Sequence, residues 1–522
     1  MISDADARLR VNSQYPQNPF SLFRVWFIAL VGCIAGAIIQ VSGARLAGGS
    51  LGILGFAPLF LYWDRRLMPG LLFGPLSFMY LFHALGYAIG PLWQLYLLGH
   101  LTTAIEDGLV PAQWGGVLGL ATMAVAYPQI FQAVSRRVMR RKGIQKRQKS
   151  DYFRWPGYAL LLAAVAFLTV SYGFVVGATN RLASRETTVE IATLVSMVAE
   201  LRLVAFFFLG CAAARRRGWW LPLWASIFGG FALFTFLDGG RGPVAFAAIF
   251  SALGLVWGGV SYRKIILCGA LAAILYVPLC GVVLVYRGHY GSNLKTTTSF
   301  SQRLEDMKEA ANRFKLQKLA PSSSLASGAE TFMENVTAQA VDQVFLLTPQ
   351  SIPFAGLEGL ERIVYAWIPK IVMPNRPTTP HGDGNELAIQ YGAAYPGTTG
   401  SYMPAVGDGY RRFGWPGIVL LYLFSAAIYG PILALCWHRR ERRERMAMVI
   451  FLLFSAPGIW SATLLDNFYL ILWTFPKYWI CFWMLSRLQD RLAQFSPSRE
   501  PRSTLPRKRR LITDVSQLDA IR

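Results

Sequence analysis

A short stretch near the end of the chain places an aspartate, a tyrosine and two arginines side by side. The residues are Asp408, Tyr410, Arg411 and Arg412, in the sequence GDGYRRFGWPG. Arginine stays charged at any working pH and forms bidentate hydrogen bonds to phosphoryl oxygens. A neighbouring carboxylate or histidine can take the proton from an attacking hydroxyl. These residue types together favour chemistry at a phosphate-bearing, anionic group.

The preceding stretch is rich in proline and glycine and carries further isolated charges. Five of them are candidates for binding or proton transfer: Lys370, Arg376, His381, Asp383 and Glu386. Each also has an ordinary structural explanation, such as loop capping, a solvent-exposed loop position or a helix-start signal. The residue types alone therefore leave the general base open among Asp408, Glu386, Asp383 and His381.

One more arginine lies in a tight turn far away in the sequence. Arg241 follows Asp238 in the sequence LDGGRGP, where two glycines and a proline allow the backbone to reverse direction. We expect this turn to place Arg241 at the mouth of a helix bundle, on the same side as Arg376 and Arg411. No cluster of histidine, cysteine and carboxylate has the spacing of a metal site, so we expect neither a metal nor a cofactor.

The composition identifies the scaffold that must position these residues. Of 522 residues, 54% are hydrophobic and 15% are charged, and the mean hydropathy is +0.38. Uncharged runs of about 20 residues, enough to cross a bilayer, recur along the chain. This pattern excludes soluble enzymes, disordered proteins and disulfide scaffolds, and it predicts an all-α polytopic membrane protein. The six cysteines fall in apolar runs and are interpreted as small apolar side chains.

The apolar runs predict about twelve membrane spans, each about 20 residues long. They cover residues 25–41, 46–63, 67–90, 112–134, 155–178, 191–214, 219–237, 243–261, 265–286, 413–437, 446–465 and 468–486. Clusters of lysine and arginine fall in every even-to-odd connection and in the tail, which places both termini in the cytoplasm. The net charge of +23 is thereby explained by membrane anchoring, without a nucleic-acid partner.

The topology divides the chain into five segments. Residues 1–24 form a cytoplasmic N-terminus, 25–286 contain spans one to nine, and 413–486 contain spans ten to twelve, followed by a basic cytoplasmic tail at 487–522. Between the two groups of spans, residues 287–412 form one large external loop, which we expect to contain short helices and which begins with a charged, helix-prone stretch at 301–317. Loops longer than about 15 residues are usually functional or disordered, and this one concentrates aromatic residues and single charges. The candidate residues therefore lie on the external side of the membrane.

Three motifs resemble those of the Wzy-like oligosaccharide repeat-unit polymerases, which make O-antigens and exopolysaccharides. They are GGRGP at 239–243, IPKIVMPNRP at 368–377 and GDGYRRFGWPG at 407–417. The family commonly shows a serine-arginine-glycine turn, a P-R-x-x-W-P-x-K-P stretch and an acid before F-G-x-x-G.

The chain departs from these family motifs at several positions. Gly240 replaces the serine of the turn, and Asp408 replaces the usual glutamate. In the proline-rich stretch, Lys370 stands in place of the first arginine, Met373 in place of the tryptophan and Arg376 in place of the lysine.

The resemblance implies a GT-C-like helix bundle and a metal-independent inverting glycosyltransferase in the bacterial inner membrane. Such an enzyme transfers a growing glycan from undecaprenyl diphosphate to the terminal sugar of an incoming lipid-linked unit on the periplasmic face. It implies that Arg241, Arg376, Arg411 and Lys370 bind the diphosphate and that Asp408 is the general base. Its implied partners are the undecaprenyl-diphosphate-linked oligosaccharide, membrane lipids, a chain-length regulator and a flippase.

Two other functions fit the same residues. An O-antigen ligase would use His381 in place of Asp408 as its critical residue. A transporter or flippase for the same lipid would need charged residues along a continuous path through the bundle. Only a few charges, such as Glu200, Arg202 and Lys477, fall inside predicted spans, so the polymerase is the leading hypothesis.

Overall fold

A computed structural model of the chain describes residues 19–68, 74–98, 101, 105–141, 202–216, 218–237, 242–295, 300–318, 341–366, 387, 389–392, 403–437, 463–469, 472 and 476. The chain divides into two compact units, Met1–Tyr478 and Trp479–Arg522, and all described residues lie in the first. Within them the secondary structure is helical, with no β-strand.

Fifteen α-helices and one π-helical segment make up this described part of the chain. In chain order they are α1 (Pro19–Val41), α2 (Arg45–Leu54), α3 (Ala57–Leu67), α4 (Pro75–His83), a π-helical segment (Ala84–Ile89), α5 (Gly90–Leu98), α6 (Glu106–Arg141), α7 (Arg202–Arg216), α8 (Trp220–Leu237), α9 (Gly242–Trp257), α10 (Tyr262–Lys295), α11 (Phe300–Lys318), α12 (Val341–Leu347), α13 (Arg362–Ala366), α14 (Ala405–Trp437) and α15 (Leu464–Tyr469).

Five helical stretches among the described residues are long and apolar enough to cross a membrane. They are Leu22–Val41, Arg45–Leu67, Glu106–Val138, Trp220–Leu237 and Ala405–Leu435. Each overlaps a span predicted from the sequence. The described part of the chain is thus an all-helical membrane protein, as predicted, while the total of about twelve spans stays a prediction.

The third predicted span, at 67–90, is shifted toward the C-terminus in the structure. Helix α4 begins only at Pro75, and the helical path continues through the π-helical segment to Leu98. The start is fixed by Asp64, whose buried carboxylate accepts hydrogen bonds from the backbone N–H groups of Gly74 and Ser77 at 3.0 and 2.6 Å. These groups have no partner inside a helix, so a carboxylate from the previous span caps them.

Helices α6 and α14 pack closely and run in the same direction. A methyl group at Gly119 of α6 would lie 2.6 Å from the ring of Tyr422 in α14, and one at Gly430 would lie 3.0 Å from Ile130. Small residues at such a contact let two membrane helices approach each other. The predicted topology also directs spans four and ten the same way across the membrane.

A buried polar pair connects α4 to the same helix. The Nε2 atom of His83 lies within hydrogen-bond distance of the hydroxyl of Tyr422, and its Nδ1 atom lies 3.0 Å from the carbonyl oxygen of Met79. Both ring nitrogens therefore have partners, one as donor and one as acceptor. The π-helical segment follows His83 directly. This pair stabilises the packing of α4 against α14.

Candidate functional site

The N-terminal end of α14 is broken at two residues. Phe413 and Gly414 have non-helical backbone angles, with φ of −141° and 65°. Only glycine adopts the second conformation without strain, because it has no side chain beyond Cα. The helical turns from Ala405 to Arg412 therefore form a separate short segment that precedes the long apolar part of α14.

The break leaves two backbone carbonyl groups of the short segment without helical partners. The carbonyl oxygen of Arg411 accepts a hydrogen bond from the N–H of Ala355 at 2.9 Å, and that of Arg412 accepts one from Gly356 at 3.1 Å. Orphan carbonyls at a helix end need such partners when they are buried. A turn that precedes α13 is in this way attached to the start of α14.

Asp408 is the centre of a buried ionic cluster. Its Oδ1 atom lies 2.7 Å from Nε of Arg411 and 3.2 Å from Nε of Arg412. A spacing of three and four residues places all three side chains on one face of the helix. The other carboxylate oxygen, Oδ2, accepts a hydrogen bond from the backbone N–H of Leu464 at 2.7 Å. All three charged side chains are buried.

Arg412 links this cluster to the external loop. Its Nη1 atom donates hydrogen bonds to the carbonyl oxygens of Gly356 and Glu358, at 2.8 and 3.0 Å. Its Nη2 atom is buried and has no hydrogen-bond partner among the residues that the structure describes. A buried guanidinium N–H without an acceptor is costly, so this atom is a candidate contact for an anion or for water.

The cluster carries an excess of positive charge. Two guanidinium groups face one carboxylate, and Asp408 is their only ion-pair partner among the described residues. The Nε atom of Arg411 donates the hydrogen bond to Asp408, and its two terminal nitrogens make no hydrogen bond to the residues that the structure describes. A buried cluster with one uncompensated positive charge favours binding of an anion.

Tyr391 brings the region after Glu386 close to the cluster. Its hydroxyl lies 3.0 Å from Oγ1 of Thr348, and its ring packs with Leu387 and Met403 in a small apolar core. Burial raises the pKa of Tyr391, while its hydrogen bond with Thr348 and the charge of Arg411 act in the opposite direction. The Tyr391 phenol therefore lies within electrostatic range of Arg411.

Tyr410 has surroundings different from those of its charged neighbours. Its ring stacks on Phe345 with a centroid distance of 3.9 Å and meets the edge of Trp415 at 5.8 Å. Two residues along a helix is about 200°, so Tyr410 faces away from Asp408. Tyr410 belongs to an aromatic contact between α12 and α14, and not to the ionic cluster.

Asp342 fixes α12 to the N-terminal end of α6. Its Oδ2 atom accepts a hydrogen bond from the backbone N–H of Ile105 at 2.7 Å, and its Oδ1 atom is buried with no partner among the described residues. Burial raises the pKa of Asp342, and the hydrogen bond from Ile105 acts against this. Sequence reasoning missed this residue, and the one signal for it was an acidic side chain in an otherwise apolar short helix.

The structure brings together only part of the predicted site. Asp408 and Arg411 are in direct contact, and Arg412, a weaker candidate, joins them. The other predicted residues lie outside the described part of the chain, so their positions stay predictions: Arg241, Lys370, Arg376, His381, Asp383 and Glu386. Among the described residues, no group of three or more histidine, cysteine, aspartate or glutamate side chains is arranged to hold a metal ion.

Three comparisons with known proteins add no family assignment to this geometry. No protein-family model matches the chain, and neither a curated protein nor a solved structure is significantly similar to it.

Proposed function

We propose that the chain is a membrane-embedded glycosyltransferase that polymerises lipid-linked oligosaccharide repeat units. It transfers the glycan from undecaprenyl diphosphate to the terminal sugar of an incoming unit, on the periplasmic face of the bacterial inner membrane. The observation that carries the proposal is the buried cluster of Asp408, Arg411 and Arg412, with its excess positive charge at the N-terminal end of a membrane helix. In this proposal about twelve spans form a GT-C-like bundle.

The cluster suits a diphosphate better than it suits a neutral sugar. A departing lipid diphosphate carries about two negative charges, and guanidinium groups stabilise such charges through charge-assisted hydrogen bonds. Arg411 offers its terminal nitrogens, and Arg412 offers the unpartnered Nη2 atom. In the proposal, Arg241, Arg376 and Lys370 complete the anion site. Since arginines then supply the charge stabilisation, the proposed transfer proceeds without a divalent metal.

The bond changes in the proposed transfer are those of a single inverting displacement. The acceptor hydroxyl oxygen attacks the anomeric carbon of the donor glycan, and the bond from that carbon to the phosphate oxygen breaks. The lipid diphosphate leaves with the electron pair, and the hydroxyl proton passes to a general base. Binding of the diphosphate by preorganised arginines lowers the energy of the leaving group as its charge develops.

We assign Asp408 to the positioning of the arginines and not to proton transfer. Its two oxygens already accept hydrogen bonds from Arg411, Arg412 and the N–H of Leu464. A carboxylate held by three donors has little remaining capacity to accept a proton from a substrate. The base in our proposal is then one of the other acidic or imidazole candidates: Glu386, Asp383 or His381.

The proposal is tested by reconstitution. Purified protein in detergent is incubated with a lipid-diphosphate-linked oligosaccharide, and chain growth is followed by gel electrophoresis together with release of the free lipid diphosphate. We expect a ladder of joined units that persists in EDTA and is lost in an Arg411→Gln variant that folds normally. Recovery of unjoined substrate from folded wild-type protein would contradict the proposal and would favour a transporter of the same lipid.

A further inference from the structure

The turn of the external loop next to the ionic cluster exposes large apolar side chains. Phe354 is 46% exposed and Leu357 is 66% exposed, although neither belongs to a predicted membrane span. Two residues at the break in α14, Phe413 and Trp415, are exposed as well. Such a concentration of exposed apolar side chains on a loop is unusual for a surface that faces water.

These four side chains lie on two backbone segments that are close together. A methyl group at Gly414, between Phe413 and Trp415, would lie 3.4 Å from the ring of Phe354, and one at Gly356, next to Leu357, would lie 4.0 Å from the ring of Phe413. We call the surface made by Phe354, Leu357, Phe413 and Trp415 the apolar ledge.

The backbone of the apolar ledge is held firmly. The N–H groups of Ala355 and Gly356 donate to the carbonyl oxygens of Arg411 and Arg412, and the Arg412 side chain donates back to Gly356 and Glu358. Gly356 has a φ of 52°, a conformation that favours glycine and turns Leu357 outward. A hydrogen-bonded turn thus fixes the backbone that carries the exposed side chains of the ledge.

The ledge continues directly into the lipid-facing side of α14. Trp415 is followed on the same helix by Leu420 and Leu423, which are also exposed. Because Ala405–Leu435 is long and apolar enough to cross a membrane, exposed leucines on it contact acyl chains. Tryptophan beside the first turn of a span is typical of the boundary between headgroups and hydrocarbon. The surface next to the ledge is therefore lipid.

We infer that the apolar ledge inserts into the outer leaflet beside α14 and contacts lipid acyl chains. The external loop then does not stand in the aqueous phase over its whole length, because one turn of it is a monotopic membrane contact. Since the same turn binds the Arg412 side chain and backbone, insertion fixes the ionic cluster at the depth of the lipid headgroups. This inference needs a membrane-spanning α14 and, for the choice of leaflet, the predicted topology, and it does not depend on the proposed reaction.

The inference is tested by the accessibility of spin labels in lipid nanodiscs. Single cysteines are introduced as Leu357→Cys on the ledge, Glu361→Cys farther along the same loop and Leu420→Cys on the lipid face of α14. The background is a chain in which the six native cysteines are replaced by alanine and which keeps the wild-type unfolding temperature. Collision rates with oxygen, which concentrates in the bilayer, are compared with those of a water-soluble nickel chelate.

We expect the ratio of oxygen to nickel collision rates at position 357 to match that at position 420 and to exceed that at position 361 several-fold. Equal ratios at positions 357 and 361 would overturn the inference, because the ledge would then face water. Low rates with both reagents at position 357 would also overturn it, because the ledge would then be covered by protein.

A second measurement avoids the cysteine-free background. A photoreactive benzoylphenylalanine is placed at position 357 of the otherwise unaltered chain, and the protein is irradiated in nanodiscs of one phosphatidylcholine. We expect intact protein to gain the mass of one lipid. An adduct only to another part of the chain, or no adduct from a folded variant, would contradict lipid contact.

Discussion

The Nε atom of Arg411 lies 2.7 Å from Oδ1 of Asp408, in a cluster that is buried at the N-terminal end of a membrane helix. Asp408 also accepts hydrogen bonds from Arg412 and from the backbone of Leu464. The aspartate that the motif resemblance implies as a general base is thus surrounded by donors. The hydrogen bonds of Asp408 hold the side chains of Arg411 and Arg412 in place.

Replacing Asp408 with asparagine should destabilise the protein strongly. The substitution keeps the shape of the side chain but leaves two buried guanidinium groups without a counter-charge, and breaking a buried ion pair in this way costs about 3–5 kcal/mol. We expect a large fall in the thermal unfolding midpoint of the purified protein. An Asp408→Asn variant with a wild-type midpoint and no activity would instead identify Asp408 as a catalytic base.

Arg412→Lys should weaken the attachment of the external loop more than Arg411→Lys does. Lysine keeps the charge but cannot reproduce the paired bonds of Nη1 to the carbonyl oxygens of Gly356 and Glu358. Loss of charge-assisted bonds on this scale costs on the order of 3 kcal/mol. Limited proteolysis should show faster cleavage near residues 351–361 in Arg412→Lys. Equal cleavage rates in the two variants would show that Arg412 does not hold the loop.

Gly414→Ala should destabilise the break in α14. Gly414 has a φ of 65° and a ψ of −148°, a region that only glycine visits freely, and forcing another residue there costs about 1–3 kcal/mol. The matched control is Gly229→Ala in α8, where a methyl group would meet no atom within 4 Å. We expect a lower unfolding midpoint for the first variant and an unchanged or slightly higher one for the second. Equal midpoints would mean that the break is not fixed by Gly414.

Asp342 should make stability depend on pH. Burial raises the pKa of Asp342 in the folded protein, so the folded state binds its proton more tightly than the unfolded state does. The stability due to this group is then fully present below the unfolded pKa and is lost as the pH rises through the folded pKa. We expect the unfolding midpoint of Asp342→Asn to rise relative to that of the wild type as the pH increases from about 4 to 7. Parallel pH profiles for the two proteins would contradict a raised pKa.

Local sequence signals predicted the helices well where a helix is uniform in character. The uncharged run at 219–237 became Trp220–Leu237, and the charged stretch at 301–317 became Phe300–Lys318. In both cases the residues of the segment alone determine the helix. The first segment is uniformly apolar, and the second has a high density of helix-forming polar residues.

The sequence failed where a distant side chain sets the structure. The shifted start of α4 depends on Asp64, which lies 10 residues before Gly74. The carboxylate of Asp64 accepts a hydrogen bond from the N–H of Gly74. The anchoring of the loop depends on Arg412 and Gly356, which are 56 positions apart. No periodicity or composition within either segment contains this information. The motif at 407–417 did predict that Asp408 and Arg411 belong together, but not that they are buried and paired.

The central claim is that Arg411 binds the diphosphate of a lipid, and the most direct test is an affinity. Binding of a polyprenyl diphosphate to purified protein in nanodiscs is measured by calorimetry for the wild type, for Arg411→Gln and for Arg45→Gln. Arg45 is the matched control, since it is an exposed arginine paired with Asp107 at 2.7 Å. We predict that Arg411→Gln weakens binding about tenfold or more, while Arg45→Gln leaves it unchanged. Wild-type affinity in a folded Arg411→Gln protein would contradict the account.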